Sequence, residues 1–180
     1  GSTSTSLSVP SEYSVIGGLS TNTISTINLP SHLAALSSHA ITETQDAVTL
    51  NINPRATEVI LGYYALYHAK ITTLHLTGVK KMEGIVFASC DYLTSIVFGL
   101  ESTIETIPVN GFNGTRITEF VVPASIVHMD GQAFFFAKEL QTISFAEGSQ
   151  LKDIGQGAFQ GCVALVNVDL SNATKLESIG

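Results

Sequence analysis

The 180-residue chain is 44% hydrophobic and only 13% charged, too apolar a composition for a disordered segment. Its eight Lys and Arg against fifteen Asp and Glu give a formal charge of -7, so it lacks the basic stripe that displaces counterions from a nucleic acid or an anionic membrane surface. The longest apolar run, residues 59–67, is broken by Gly62 and is shorter than the roughly 18 apolar residues of a membrane helix.

In chain order, residues 1–15 read as a lead-in. Gly1-Ser2 without a Met resembles an expression scar, and a Ser/Thr-rich run follows it. From residue 16 onward one phrase recurs: an apolar residue, two free positions, a second apolar, one free position, a third apolar. The copies are Ile24-Ile27-Leu29, Ala47-Leu50-Ile52, Ile71-Leu74-Leu76, Leu93-Ile96-Phe98, Ile117-Phe120-Val122, Leu140-Ile143-Phe145 and Leu165-Val168-Leu170. Their middle members are 23, 24, 22, 24, 23 and 25 residues apart. A small-large pair precedes each: Gly18-Leu19, Ala40-Ile41, Ala65-Leu66, Val86-Phe87, Gly111-Phe112, Ala133-Phe134 and Ala158-Phe159, with Val86 the one larger first member. Four residues before the pair stands a further apolar residue: Leu36, Leu61, Met82, Ile107, Met129 and Ile154. The first repeat has no clean counterpart.

Two phrases that keep register through about seven repeats of 22–25 residues define a repeat array over residues 16–180. In–out–in alternation of the last two anchors predicts a short strand. The small-large pair suits a tight turn or 3-10 segment that lets the next coil approach. No coil can bury its apolar side alone, so stacked coils share one core. Leu176-Glu177-Ser178-Ile179-Gly180 repeats Leu151-Lys152-Asp153-Ile154-Gly155, so the array is expected to be truncated inside a repeat at its C-terminus.

The stretch Gly157-Ala158-Phe159-Gln160-Gly161-Cys162-Val163-Ala164-Leu165, running on to Val168 and Leu170, resembles the repeat of BspA-like leucine-rich-repeat proteins. Ile154-Gly155, Val122-Pro123-Ala124-Ser125-Ile126 and Leu29-Pro30-Ser31 fit the same pattern, and the ordinary Asn ladder is absent. The resemblance implies a mostly β leucine-rich-repeat solenoid of α/β type. Its parallel sheet lines the concave face, and short turns or 3-10 segments lie opposite. It also implies a surface or secreted protein of bacteria or protozoa with a role in adhesion.

The residues offer no competing chemistry. Cys90 and Cys162 share a small slot that another repeat fills with Ala137, and a three-coil separation of roughly 14 Å is beyond a disulfide. Gly155, Gly157 and Gly161 belong to the repeat rather than to a dinucleotide fingerprint. The five histidines, His32, His39, His68, His75 and His128, show no metal-ligand spacing. No nucleophile elbow or paired acids occur. The chain is therefore expected to be no enzyme and to use no cofactor or metal.

What remains is surface. The outward strand positions form a polar strip: Asn51, Thr73, His75, Ser95, Val97, Glu119, Val121, Thr142 and Ser144 in its centre, with an apolar step at Val97 and Val121. Seven strands would make it about 30 Å long. An alternative aromatic flank is Tyr63, Tyr64, Tyr67, Phe135 and Phe136, which fill turn positions that are small or polar elsewhere. Asn113 and Asn172 open candidate glycosylation sequons. The expected function is recognition of a protein or glycan on a host or microbial surface, with no nucleic acid and no membrane insertion, and with self-association through the open C-terminal end. The alternative is a spacer array that presents another domain.

Overall fold

The structure is a computed structural model that describes residues 6–20, 25–42, 44, 47–52, 58–99 and 102–180. It is a parallel β-solenoid in which each repeat forms one coil, and among the described residues no helix of any kind occurs.

Each coil runs through three stations. The first is a short strand: β2 (Val15–Ile16), β5 (Ala35–Leu36), β8 (Val59–Leu61), β10 (Val79–Met82), β12 (Thr106–Ile107), β14 (His128–Met129), β16 (Asp153–Ile154) and β18 (Ser178–Ile179). The second is β3 (Leu19–Ser20) and β6 (Ile41–Thr42) in the first two coils and a hydrogen-bonded turn in the later ones. The third is the strand expected from the sequence: β4 (Thr26–Asn28), β7 (Val48–Asn51), β9 (Ile71–His75), β11 (Ser95–Val97), β13 (Glu119–Val122), β15 (Thr142–Phe145) and β17 (Asn167–Asp169). Every strand pair is parallel, as one-way stacking of coils requires.

The core sits between the stations. Ile27, Leu50, Leu74, Phe120 and Ile143 are buried middle anchors, and Leu36, Leu61, Met82, Ile107, Met129 and Ile154 are buried on the first row. The large members of the small-large pairs stack ring on ring in the later coils. Phe87, Phe112, Phe134 and Phe159 lie in series with centroids 5.3, 5.1 and 5.8 Å apart and planes within 14–22°. Phe120 leans on two of them, 5.3 Å from Phe112 and 4.9 Å from Phe134. On β17, the final strand of the third row, Val168 is 42% exposed where its counterparts are covered.

Three details depart from the sequence expectation. Val48, not Ala47, is the inward first anchor of its strand; it pairs with Ile71, and the register then slips so that Leu50 meets Leu74. Ile24 lies outside the described residues. The first repeat does have a first-row residue: Ile16 is buried and pairs with Leu36, two residues nearer its turn than in later coils. And β1 (Ser6–Ser8), in the segment read as a lead-in, pairs with β4 and begins the strand row one step earlier.

The turns explain the small-large pair. Each carries two residues with positive φ four positions apart: Tyr64 and His68, Ile85 and Ser89, Asn110 and Gly114, Gln132 and Phe136, Gly157 and Gly161. Such residues reverse the chain twice, pointing amides and carbonyls along the stacking axis. Phe112 N–H donates to Ala133 O at 2.8 Å and Phe134 N–H to Ala158 O at 2.8 Å. The small residue lets these backbones approach, and the large one fills the coil beneath them.

Candidate functional site

The strand face places the predicted strip as two rows of neighbours, one on each side of the step between β11 and β13. His75 pairs in register with Val97, Thr73 with Ser95, Glu119 with Thr142 and Val121 with Ser144. Asn51, Thr73, His75, Ser95, Val97, Glu119 and Val121 are exposed, whereas Thr142 and Ser144 are half-buried. Val97 and Val121 show 41% and 59% of their surface. Part of the strip is internally satisfied: Asn51 Nδ2 donates to Asn28 Oδ1 at 2.8 Å. At its far end Asp169 accepts from Ser171 N–H at 2.9 Å, which holds its carboxyl below the ordinary carboxylate range.

The strip is not one continuous sheet, contrary to the expectation of a single seven-strand surface. The third row divides into a five-stranded sheet ending at β11 and a three-stranded sheet beginning at β13. The first row divides at the same step, between β10 and β12. Coils four and five are thus joined by the turns and the ring stack. Ile85, Phe87 and Ser89 donate to Val109, Gly111 and Asn113 at 3.0–3.1 Å, and Arg116 N–H donates to Leu93 O at 3.0 Å.

On the first row the interruption coincides with Pro108. At this position Ser37, Gly62, Glu83, Asp130, Gly155 and Gly180 each donate an amide to the preceding coil, to Ile16, Leu36, Leu61, Ile107, Met129 and Ile154, at 2.7–2.9 Å. Pro108 stands in that series opposite the Met82 carbonyl and has no N–H to give. A groove of about 670 Å³ opens there, lined by residues of β10 and β12 and their flanks together with Glu58, Ile60, Tyr63 and Asp130. Sequence reasoning assigned recognition to the strand face and did not foresee this groove. The signal it missed was a single proline in a donor position.

The aromatic flank does not form one patch. Tyr64 and Tyr67 lie 5.4 Å apart in one turn, with His39 stacked 5.1 Å from Tyr64 and His68 4.2 Å from Tyr67. Tyr63, 50% exposed, instead borders the groove. Phe135 and Phe136 pair edge-on at 4.5 Å, three coils further along, with Lys138 over the Phe136 ring.

Both cysteines are free thiols. Cys90 is buried with its Sγ on Leu66 O at 2.8 Å, and burial pushes its pKa up to about 12. Half-buried Cys162 bonds Phe134 O at 3.1 Å and is shifted upward for the same reason. Asn113 is half-buried with Nδ2 on Asn110 Oδ1, and its sequon partner Thr115 is buried against Phe112 O. Asn172 is exposed, with Nδ2 on Phe145 O at 2.9 Å. Among the described residues no group of three His, Cys, Asp or Glu side chains converges as metal ligands would.

A family model for the BspA type leucine rich repeat region matches residues 18–141 and 105–180, with six copies of the repeat. The chain belongs to this BspA-type leucine-rich-repeat family. Among solved structures, the fold of this BspA-type chain is similar to that of the pneumococcal vaccine antigen PcpA, with TM-score 0.63 and 11% identity over 99% of this chain and 69% of that one. A leucine rich cell surface protein from Faecalibacterium prausnitzii A2-165 overlaps 97% of this chain and 68% of its own at 16% identity and TM-score 0.49. No curated protein matches the chain in sequence.

Proposed function

We propose that the chain is a non-catalytic recognition module of a surface-exposed or secreted protein, and that it binds a protein or glycan of a host or microbial surface through its strand face. The observation that carries this is the apolar step of Val97 and Val121 on an otherwise polar and exposed strip. Nothing in the packing of the core calls for two outward valines there, and exposed apolar side chains framed by polar ones mark contact sites. Membership of the BspA-type family and the fold shared with a vaccine antigen support the same assignment.

The spacer alternative is favoured by one observation, the exposed Asn28–Asn51 pair, whose side chains bond each other across the coils and so spend part of their hydrogen bonding within the solenoid. The two are separated by capture of host-surface proteins and by a glycan array with the 180-residue chain as bait, comparing the native chain with Val97→Glu combined with Val121→Glu. Loss of a ligand with an unchanged melting temperature supports the strand face. A ligand that survives this change and disappears with Tyr64→Ala or Phe135→Ala moves the site to the turns. A chain that captures nothing at micromolar concentration supports the spacer.

A further inference from the structure

We infer that the groove between β10 and β12 is a separate binding site, fitted to an extended segment of a partner polypeptide that carries Lys or Arg beside an apolar side chain. It lies on the first strand row, and the strip belongs to the third, so the inference goes beyond the strand-face proposal and does not rest on it.

Three properties of the groove select this ligand. The first is backbone hydrogen bonding. Among the described residues β10 pairs only with β8 and β12 only with β14, so each strand presents an edge across the groove. By repeat register Pro108 takes the place of the six residues whose amides serve the carbonyls equivalent to that of Met82. An extended peptide offers amides every second residue and recognises such an edge through its main chain. The second is shape. Tyr63 and Val109 converge over Gly84: a Cβ there would meet Tyr63 Cε1 at 2.9 Å and Val109 Cγ1 at 3.1 Å. With Ile60, these side chains form an apolar wall that is 39–50% exposed, and a volume of about 670 Å³ is of the size that ligand sites occupy.

The third is charge. Glu58, Glu83, Glu105 and Asp130 line the groove together with Lys80 and Lys81. Lys80 is already bonded to Glu58 at 2.7 Å and Lys81 to Glu83 at 2.8 Å. Glu105 and Asp130 take part in no ion pair among the described residues, so the groove keeps two uncompensated carboxylates. A cationic side chain completes that balance, whereas an anionic one meets like charge.

The test uses the isotopically labelled 180-residue chain and three capped pentapeptides: acetyl-Val-Lys-Val-Lys-Val-amide, its Glu counterpart, and the Lys peptide with N-methylated central amides. The Lys peptide is expected to shift the amide resonances of Tyr63, Gly84 and Val109. Its affinity should fall by at least about tenfold in Glu105→Gln combined with Asp130→Asn, and similarly on N-methylation. It should be unchanged in Val97→Glu combined with Val121→Glu, which separates this site from the strip. The Glu peptide should not bind. Equal binding of the Lys and Glu peptides, shifts centred elsewhere, or undiminished affinity in the isosteric double variant would each overturn the assignment. Should the double variant fold differently, Tyr63→Ala, at an exposed position, must show the same loss.

Discussion

Phe112→Ala probes the step at which both strand rows are interrupted. The ring is fully buried and contacts three others, Phe87 across the step, Phe134 beyond it and Phe120 beside it, at 5.1–5.3 Å. A buried Phe removes about 150–250 Å² from water, worth roughly 4–6 kcal/mol at about 25 cal/mol per Å². Truncation to Ala retains part of that burial, and measured costs of such cavities run to about 3–5 kcal/mol. Elsewhere in the solenoid two strand ladders would share the loss. Between coils four and five they do not, because neither β10–β12 nor β11–β13 is paired. The variant should therefore lose about 4 kcal/mol and also unfold in two steps, with residues 6–99 and 102–180 separating. Phe159→Ala is the control: that ring is half-buried and touches only Phe134 among the rings, so its cost should be about half as large and confined to the C-terminal coil. Calorimetry gives the magnitudes, and native-state hydrogen exchange shows whether amides of β5 and β8 part company with those of β14 and β16. A single cooperative transition for Phe112→Ala with a loss below about 1 kcal/mol would refute the view that ring stacking couples the halves.

Three further outcomes follow from particular residues. Gly155→Ala would place a Cβ 2.4 Å from Gly131 N and 2.7 Å from Asp130 C, forcing two coils apart at a cost above about 2 kcal/mol; Gly148→Ala, with φ +74° and open space around it, should cost only about 1 kcal/mol of backbone strain, and equal losses in urea titration would show that coil spacing is not the constraint. Cys90 should resist thiol reagents at pH 8 in the folded chain while Cys162 reacts slowly, and both should titrate in denaturant. Because burial raises the folded pKa of Cys90 to about 12, its contribution to stability is fully present below the unfolded thiol pKa and is lost as pH rises toward 12; a melting temperature that is flat from pH 9 to 11 in the wild type, and the same in Cys90→Ala, would contradict this. If the chain is produced in a glycosylating host, peptide mass spectrometry should find exposed Asn172 modified more fully than Asn113, and the reverse order would mean that the turn at residues 109–114 opens before it folds.

Most of the architecture could be read from spacing, because a coil that buries the same side chains on every pass must repeat them in sequence. Ile71, Leu74 and Leu76, or Ile117, Phe120 and Val122, occupy their expected inward positions. Where the reading slipped, a local irregularity offered two solutions. Ala47 and Val48 are adjacent apolar residues, and only the bulge against Ile71 and Leu74 selects the larger one. Ile16 escaped because its coil reaches the turn two residues early, so no fixed offset could find it.

The surface was less legible, since a repeat slot specifies direction from the axis but not which coils adjoin. Tyr63, Tyr64, Tyr67, Phe135 and Phe136 break the same rule of the repeat, yet the structure sends Tyr63 to the groove and leaves the two ring pairs three coils apart. Pro108 shows the opposite case, a site specified by one residue whose meaning depends on its partners. As an isolated proline it is an ordinary turn residue. Set beside Ser37, Gly62, Glu83, Asp130, Gly155 and Gly180, it is the one member that cannot donate. Replacing it with Ala would restore an amide opposite Met82, a gain of about 0.5–1.5 kcal/mol. The freer unfolded chain would offset about 0.4–1 kcal/mol of that. Stability would then change little while β10 and β12 gained one rung, so a proline at that point limits the ladder and leaves both strand edges open.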